Sequence, residues 1–205
     1  MPSWLRDIAI GVVLTGLLVG AVLLARQIKP QLPATDLLSA RSKGPSDAKV
    51  KVIEYSDFQC PACKTAQMTI NGILALHQEK IRFTFQHFPL EGHRWSRISH
   101  QAAECAAKQS RFWDYHDRLY GDQEIWSKGV QPPVETFIQY AGEMGLDLNE
   151  FARCLSDVEV AKTIQAERMG GLDLGVRSTP SFFVNGEMVA GVTGLREKIE
   201  RVLAQ

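Results

Sequence analysis

Four residues, Cys60-Pro61-Ala62-Cys63, constrain this chain more than any others. They stand between a β-like run, Val50 to Ser56, and a helix-like stretch, Lys64 to Glu79. The order strand, cysteine, helix puts Cys60 at a helix N-terminus, where free backbone N–H groups and the positive end of the helix dipole stabilise a thiolate. Pro61 suits the first helical position, because its missing N–H costs nothing there and its fixed φ matches the helix. Cys63 then falls one turn along and deeper, placed to attack a mixed disulfide on Cys60. A redox dithiol is one reading and half of a zinc site is the other; the motif alone does not separate them.

The remaining residues favour the dithiol. No second CxxC exists, and His77, His87, His93, His100 and His116 form no His-x₃-His pair or other tight ligand spacing. These histidines are expected in the core or on the surface, with His87 and His93 the two that could lie nearer the dithiol. No metal and no other cofactor is expected. A chain of 205 residues with 45% hydrophobic content holds one good-sized domain plus appendages. Its 23 basic residues balance 23 acidic ones without a run of either sign, which leaves nucleic acid unsupported as a partner.

Ile8 to Ala25 is free of charge, with Arg6 and Asp7 before it and Arg26 and Lys29 after it. At 1.5 Å per residue this run spans roughly 27 Å, enough for a bilayer core. A cleaved signal peptide competes with an anchor, but Leu23 and Leu32 occupy positions where cleavage wants small residues. Residues 1–28 are therefore expected to form an uncleaved N-terminal transmembrane helix. Basic residues flank both ends and leave its orientation open. Gly16 and Gly20 make a small-xxx-small pair, though glycine is common in such helices anyway. Residues 29–47, with Pro30, Pro33, Gly44 and Pro45, read as a tether.

From residue 48 the pattern is regular. Val50, Val52 and Glu54 share one face of the first strand. A carboxylate on an apolar face is costly unless it is protonated, paired or used. Glu54 is therefore either a proton acceptor for Cys63 or a strand glutamate reaching water at a sheet edge. Met68, Ile70, Ile73, Leu74 and Leu76 give the next helix a broad apolar face, and Ile81 to Phe88 reads as a second strand, closing a βαβ unit. Helical patterns follow over Ile98–Gln109, Phe112–Tyr120, Pro133–Met144, Leu148–Leu155 and Val158–Leu172. Phe112, Trp113, Tyr115, Leu119 and Trp126 are expected in the core. Ser181–Val184 and Glu187–Ala190 flank Asn185-Gly186, a two-residue hairpin signal, and an amphipathic helix with Leu195, Ile199, Val202 and Leu203 on one face ends the chain.

Two segments resemble the DsbA-like family of thiol:disulfide oxidoreductases. Val52-Ile-Glu-Tyr-Ser-Asp-Phe-Gln-Cys-Pro-Ala-Cys-Lys64 is similar to that family's active-site segment, and Gly175-Val-Arg-Ser-Thr-Pro-Ser-Phe-Phe-Val-Asn-Gly186 to the segment before its hairpin. Phe88-Pro-Leu90 and Phe112-Trp-Asp-Tyr-His116 also fit. The resemblance covers roughly residues 44–203. It implies an α/β thioredoxin fold over residues 48–205 with an inserted helical domain at about 92–175. It also implies that Cys60 is the nucleophile, Cys63 the resolving cysteine, Glu54 a buried acid assisting it, and Thr179-Pro180 a cis-proline loop. The backbone of Thr179 would then meet an extended substrate peptide. Without the resemblance, a trans proline opening a strand is the simpler reading of Pro180. The chain departs from the best-known members between the cysteines, where Pro61 and Ala62 leave no histidine to stabilise the thiolate; the helix terminus has to do that work, and a lower oxidising power follows.

Four cysteines allow three pairings. If the CxxC pairs with itself, Cys105 and Cys154 remain for a bridge between two helices of the insertion, the alternative being two separate buried thiols. The function implied is disulfide formation in reduced or unfolded secreted proteins, on the extracytoplasmic side of a bacterial inner or plasma membrane. A quinone-linked membrane protein of the DsbB or VKOR type would reoxidise the dithiol. The same dithiol run as a reductase or isomerase is the first rival, and a binding or chaperone-like module with a structural CxxC disulfide is the second.

Overall fold

The computed structural model of the chain describes residues 38–205. The expected anchor and the first part of the expected tether lie outside the described residues. Among the described residues no helix is long and apolar enough to cross a membrane.

In chain order the elements are β1 (Ser42–Lys43), β2 (Val50–Ser56), α1 (Pro61–Leu76), β3 (Ile81–His87), α2 (Ser96–Lys108), α3 (Phe112–Gly121), α4 (Gln123–Trp126), α5 (Val134–Glu143), α6 (Leu148–Leu155), α7 (Val158–Asp173), β4 (Ser181–Val184), β5 (Glu187–Val189) and α8 (Gly191–Leu203). The sheet order is β1-β3-β2-β4-β5. β2 and β3 run parallel, which requires the crossover that α1 supplies, while β4 returns antiparallel on the other side of β2. β2 is therefore central, and its C-terminal end carries the CxxC. The hairpin follows the Asn-Gly signal: Asn185 and Gly186 both take positive φ, 49° and 84°, as a turn matching the strand twist demands.

One face of the sheet packs Val50, Val52, Phe83, Phe182 and Val184 against Ala66, Ile70 and Ile73 of α1 and Leu195 and Ile199 of α8. On the other face Tyr55, Phe88 and Phe183 meet α7. The approach is close: a Cβ on Gly171 would lie 2.9 Å from the rings of Tyr55 and Phe88, so only glycine lets α7 sit there. The inserted helices hold a core of their own around Phe112, Tyr115, Trp126, Phe137 and Phe151, which Phe58 and Phe85 join to the sheet.

Three expectations change. The helix begins at Pro61, as the proline's fit to the first helical position predicts, but it ends at Leu76, three residues before the expected Glu79. Met68 and Leu76 do not belong to its apolar face, being 81% and 79% exposed. Met68 lies about 200° around the helix from the buried Ala66, and Leu76 is the last helical residue. Ser42–Lys43, within the stretch read as a tether, pairs antiparallel with β3 as an added edge strand. Two residues are too few to show a period, so no strand pattern marked them.

Candidate active site

Cys60 caps α1 in an extended conformation, φ −77° and ψ 120°, which leaves the first-turn N–H groups free to face its sulfur. The cap is held from three sides. The Cys60 N–H donates to the Asp57 carbonyl at 3.0 Å. The Gln123 amide, reaching in from α4, donates to the carbonyls of Phe58 at 2.7 Å and Cys60 at 3.0 Å. From β4's approach, the Thr179 carbonyl lies 3.5 Å from the Cys60 sulfur, and the Thr179–Pro180 peptide bond is cis.

The two cysteines are unlike. Cys60 keeps 6% of its surface open and Cys63 none, so only Cys60 can be attacked from outside. A hydrogen bond from Cys63 is the largest influence on Cys60. Together with Thr179 and the N–H groups of Ala62 and Cys63, it outweighs burial and brings the thiol down from 9.0 to about 5. Burial pushes Cys63 the other way, and the neighbouring Cys60 and Glu54 push it further. The arrangement is a thiolate with a narrow opening to solvent above a sealed thiol, the asymmetry that thiol–disulfide exchange requires.

Glu54 is fully buried in the central strand, opposite Phe85 and Phe182, which removes the sheet-edge reading. The Ser56 hydroxyl donates to its Oε1 at 2.8 Å, and the Gln67 amide reaches both oxygens at 3.4 and 3.3 Å. Burial exceeds these bonds and lifts the carboxyl from 4.5 to about 7. Between those values the folded protein binds more protons than the unfolded chain, so stability falls as pH rises through the window and the cost is fully present above it, at about 3 kcal/mol. Glu54→Gln in the reduced form, where variant and wild type share the Cys60 thiolate, is expected to be about 3 kcal/mol more stable to urea than wild type at about pH 8. At about pH 4 the two should coincide; equal stability at both pH values would refute the assignment.

A second buried carboxylate organises the rim. Asp57 accepts from the Gln59 N–H at 2.8 Å, the Leu90 N–H at 2.9 Å, the Ser96 hydroxyl at 2.8 Å and His93 Nδ1 at 2.7 Å. Burial opposes its charge, yet His93 and these donors keep the carboxyl below its usual range, and Asp57 in turn raises His93. The segment after β3 is thereby clamped beside the cysteines, with the Trp95 N–H bonded to the Gln59 side chain at 2.7 Å. His87 lies farther back: it meets His100 at 2.6 Å and Glu104 at 3.0 Å, and Arg41 joins Glu104 to Glu167. Burial depresses His87 to about 3 and His100 well below its usual value, so both are neutral core residues that stitch the insertion to the sheet. Among the described residues no group of histidine, cysteine and carboxylate side chains could hold a metal ion.

Cys105 of α2 and Cys154 of α6 form a disulfide with a Cα–Cα separation of 5.7 Å, and Cys60 and Cys63 are both free thiols. Ser56, Asp57, Gln67, Tyr120, Gln123 and the role of His93 escaped the sequence reading. Ser56 had a usable signal, since it stands two residues after Glu54 and so on the same strand face. Gln123 and Tyr120 come from the insertion and carry none.

The thioredoxin family model matches residues 39–201, nearly all of the described chain. The chain belongs to the thioredoxin family. Its fold is that of DsbA-like members of this family: BdbD from Bacillus subtilis superposes with a TM-score of 0.72 over 82% of this chain and 95% of its own, at 21% identity. A thioredoxin-like oxidoreductase from Silicibacter pomeroyi gives 0.68 over 84% and 98%, at 24% identity. DsbA2 of Pseudomonas aeruginosa gives 0.65 over 80% and 93%, at 22% identity. Among curated relatives, the Na(+)/H(+) antiporter NhaA 1 of Salinispora arenicola is 38% identical over 146 residues, 70% of this chain but 21% of its own length. The corresponding protein of Herminiimonas arsenicoxydans is 30% identical over 149 residues, 73% of this chain and 23% of its own. The chain thus spans about a fifth of the length of these relatives.

Proposed function

We propose that this thioredoxin-family protein is a thiol:disulfide oxidoreductase that oxidises pairs of thiols in reduced proteins. The observation that carries the proposal is the contrast between an accessible Cys60 thiol brought down to about 5 and a sealed Cys63 thiol pushed up. A substrate thiolate attacks the Cys60 sulfur of the oxidised enzyme, the Cys60–Cys63 bond breaks, and Cys63 leaves with the electron pair. The substrate's second thiolate then attacks the mixed disulfide and Cys60 leaves as its stabilised thiolate. Two electrons have moved from substrate to enzyme. Stabilising the reduced form in this way makes the disulfide a stronger oxidant, which favours oxidase over reductase.

The rest of the proposal concerns place and partners. The Cys105–Cys154 bridge suits an oxidising compartment. Together with the apolar run Ile8 to Ala25 it supports a domain on the extracytoplasmic side of a bacterial inner or plasma membrane. A quinone-linked protein of the DsbB or VKOR type would reoxidise the dithiol, and anchoring would raise the two proteins' effective concentration. The Thr179 loop beside Cys60 would receive an extended substrate strand.

The test is a glutathione redox titration of the full-length chain, with mass spectrometry mapping each cysteine and ultraviolet absorbance following the thiolate. Cys60 should ionise with a midpoint near 5, and the Cys60/Cys63 potential should lie nearer about −120 mV than about −270 mV. A midpoint near the ordinary thiol value, with a potential at the lower figure, would instead describe a reductase.

A further inference from the structure

In either direction the proposed exchange leaves a proton to be placed on, or taken from, Cys63, and Cys63 is sealed from water. Glu54, its nearest acid, is sealed too, as is Ser56, and Tyr120 is 4% exposed. The proton must therefore pass between protein groups. Ser56 bonds Glu54 directly: its Oγ is 2.8 Å from Glu54 Oε1 and 2.8 Å from the Tyr120 hydroxyl, and Ser56 is the group that works against burial to favour the Cys63 thiolate. Ser56 has one proton to give. When that proton goes to Glu54, the contact with Tyr120 has to be a bond donated by Tyr120. Tyr120 thereby fills one lone pair of Oγ and leaves Ser56 to choose between Glu54 and Cys63.

We infer that Ser56 is the proton carrier between Cys63 and Glu54, and that Tyr120 is a positioning residue that orients its hydroxyl. The inference rests on the redox reading above. When the Cys60–Cys63 disulfide is opened by an incoming thiolate, the leaving Cys63 thiolate takes the Ser56 proton while the Glu54 carboxylic acid passes its own to Ser56 Oγ. The products are a Cys63 thiol, a Glu54 carboxylate and a serine whose hydroxyl has reversed. Attack by Cys63 runs the same transfer backwards. The titratable groups around Ser56 are Glu54 and Asp57 from β2 and its end, Cys60 and Cys63 from α1, and Tyr120 from α3.

The experiment opens the disulfide of the oxidised full-length chain with glutathione in stopped flow between about pH 5.5 and 8.5, following release of Cys63. Ser56→Ala should slow release about 100-fold, within the range usual for one general acid–base step, and erase the dependence on the group titrating near 7. Glu54→Gln should do the same. The double variant should be no slower than the slower single, because both remove one relay. Ser56→Thr, which keeps the hydroxyl, should recover most of the rate, and the ionisation midpoint of Cys60 should be unchanged in all four. Wild-type release rates in Ser56→Ala, or effects of the two substitutions that multiply, would overturn the relay while leaving the redox reading in place. A Cys60 midpoint that moves with Ser56→Ala, and is not restored by Ser56→Thr, would also overturn it by making Ser56 structural. A wild-type chain that does not exchange with glutathione at all would overturn both.

Discussion

Replacing Cys60 by serine is expected to lower thiol oxidation by at least about 1,000-fold, because a serine oxygen can neither form the disulfide that a substrate thiolate attacks nor depart as a stabilised thiolate. The loss should be complete within detection when a reduced, two-cysteine model peptide is the substrate and formation of its disulfide is measured by mass spectrometry. Cys63→Ser should behave differently. Given the disulfide form of the same peptide, the Cys60 thiolate would attack that bond, forming a mixed disulfide and releasing the peptide's other sulfur as a thiolate, and with no Cys63 to resolve it the enzyme should accumulate covalently bound to substrate. The two variants together separate the chemistry from the alternative of a binding module with a structural CxxC. Under that alternative, activity on client proteins survives Cys60→Ser and no mixed disulfide builds up with Cys63→Ser. Retained disulfide formation in Cys60→Ser would end the proposed function. The pairing of roles follows from geometry: a sulfur with an opening to solvent lies over one with none.

The second large effect is on stability. Cys105 and Cys154 are 49 residues apart and join α2 to α6. Opening a loop of that length restores chain entropy to the unfolded state worth about 4 kcal/mol in the loop-closure treatment. Both residues belong to the buried core of the insertion, so Cys105→Ala with Cys154→Ala also removes sulfur volume from a packed region and adds to the loss. Urea unfolding of the double variant, with wild type in the disulfide form as reference, should show a deficit of about 4 kcal/mol or somewhat more, and a deficit below about 1 kcal/mol would contradict a structural role. The exchange reaction at Cys60 should persist in the folded fraction, because the bridge joins α2 to α6 while the cap at Cys60 is held by Asp57, Gln123 and Thr179. If instead Cys105 and Cys154 change state together with the CxxC in the redox titration, the bridge belongs to the mechanism and not to the scaffold.

Polar clusters set how these effects combine. Glu54, Ser56, Gln67 and Tyr120 lie behind the dithiol, and Asp57, His93, Ser96 and Gln59 lie beside it. Buried networks of this kind lose more than one bond's worth when a member is removed, since a neighbour is left without a partner. The first cluster gives Cys63 a route for its proton; the second fixes the rim that a substrate meets. The helix terminus is therefore not alone in stabilising the Cys60 thiolate where the usual histidine is missing: Cys63 and Thr179 supply much of what Pro61 and Ala62 do not.

Local chemistry made much of this legible in the amino-acid sequence. Alternation of Val50, Val52 and Glu54, a Pro at the first helical position and an Asn-Gly pair each impose backbone geometry within a few residues, and β2, α1 and the hairpin formed where those signals stood. Cys60 at the head of a helix was fixed by the same short-range logic. Long-range partners were not, because no local pattern records which segment arrives opposite a given residue. Whether Glu54 faced water or the core depended on β4 pairing with β2 from 128 residues later in sequence, where Phe182 stands across from Glu54. Tyr120 and Gln123 reach the dithiol only because the inserted helices fold back over β2, and Asp57 finds His93 only because the segment after β3 returns to the same end of the sheet. The sequence by itself determined the CxxC pair and the strand–helix frame that caps it; the tertiary structure decided which side chains surround that pair, since burial and hydrogen bonding there are made by segments distant in the chain.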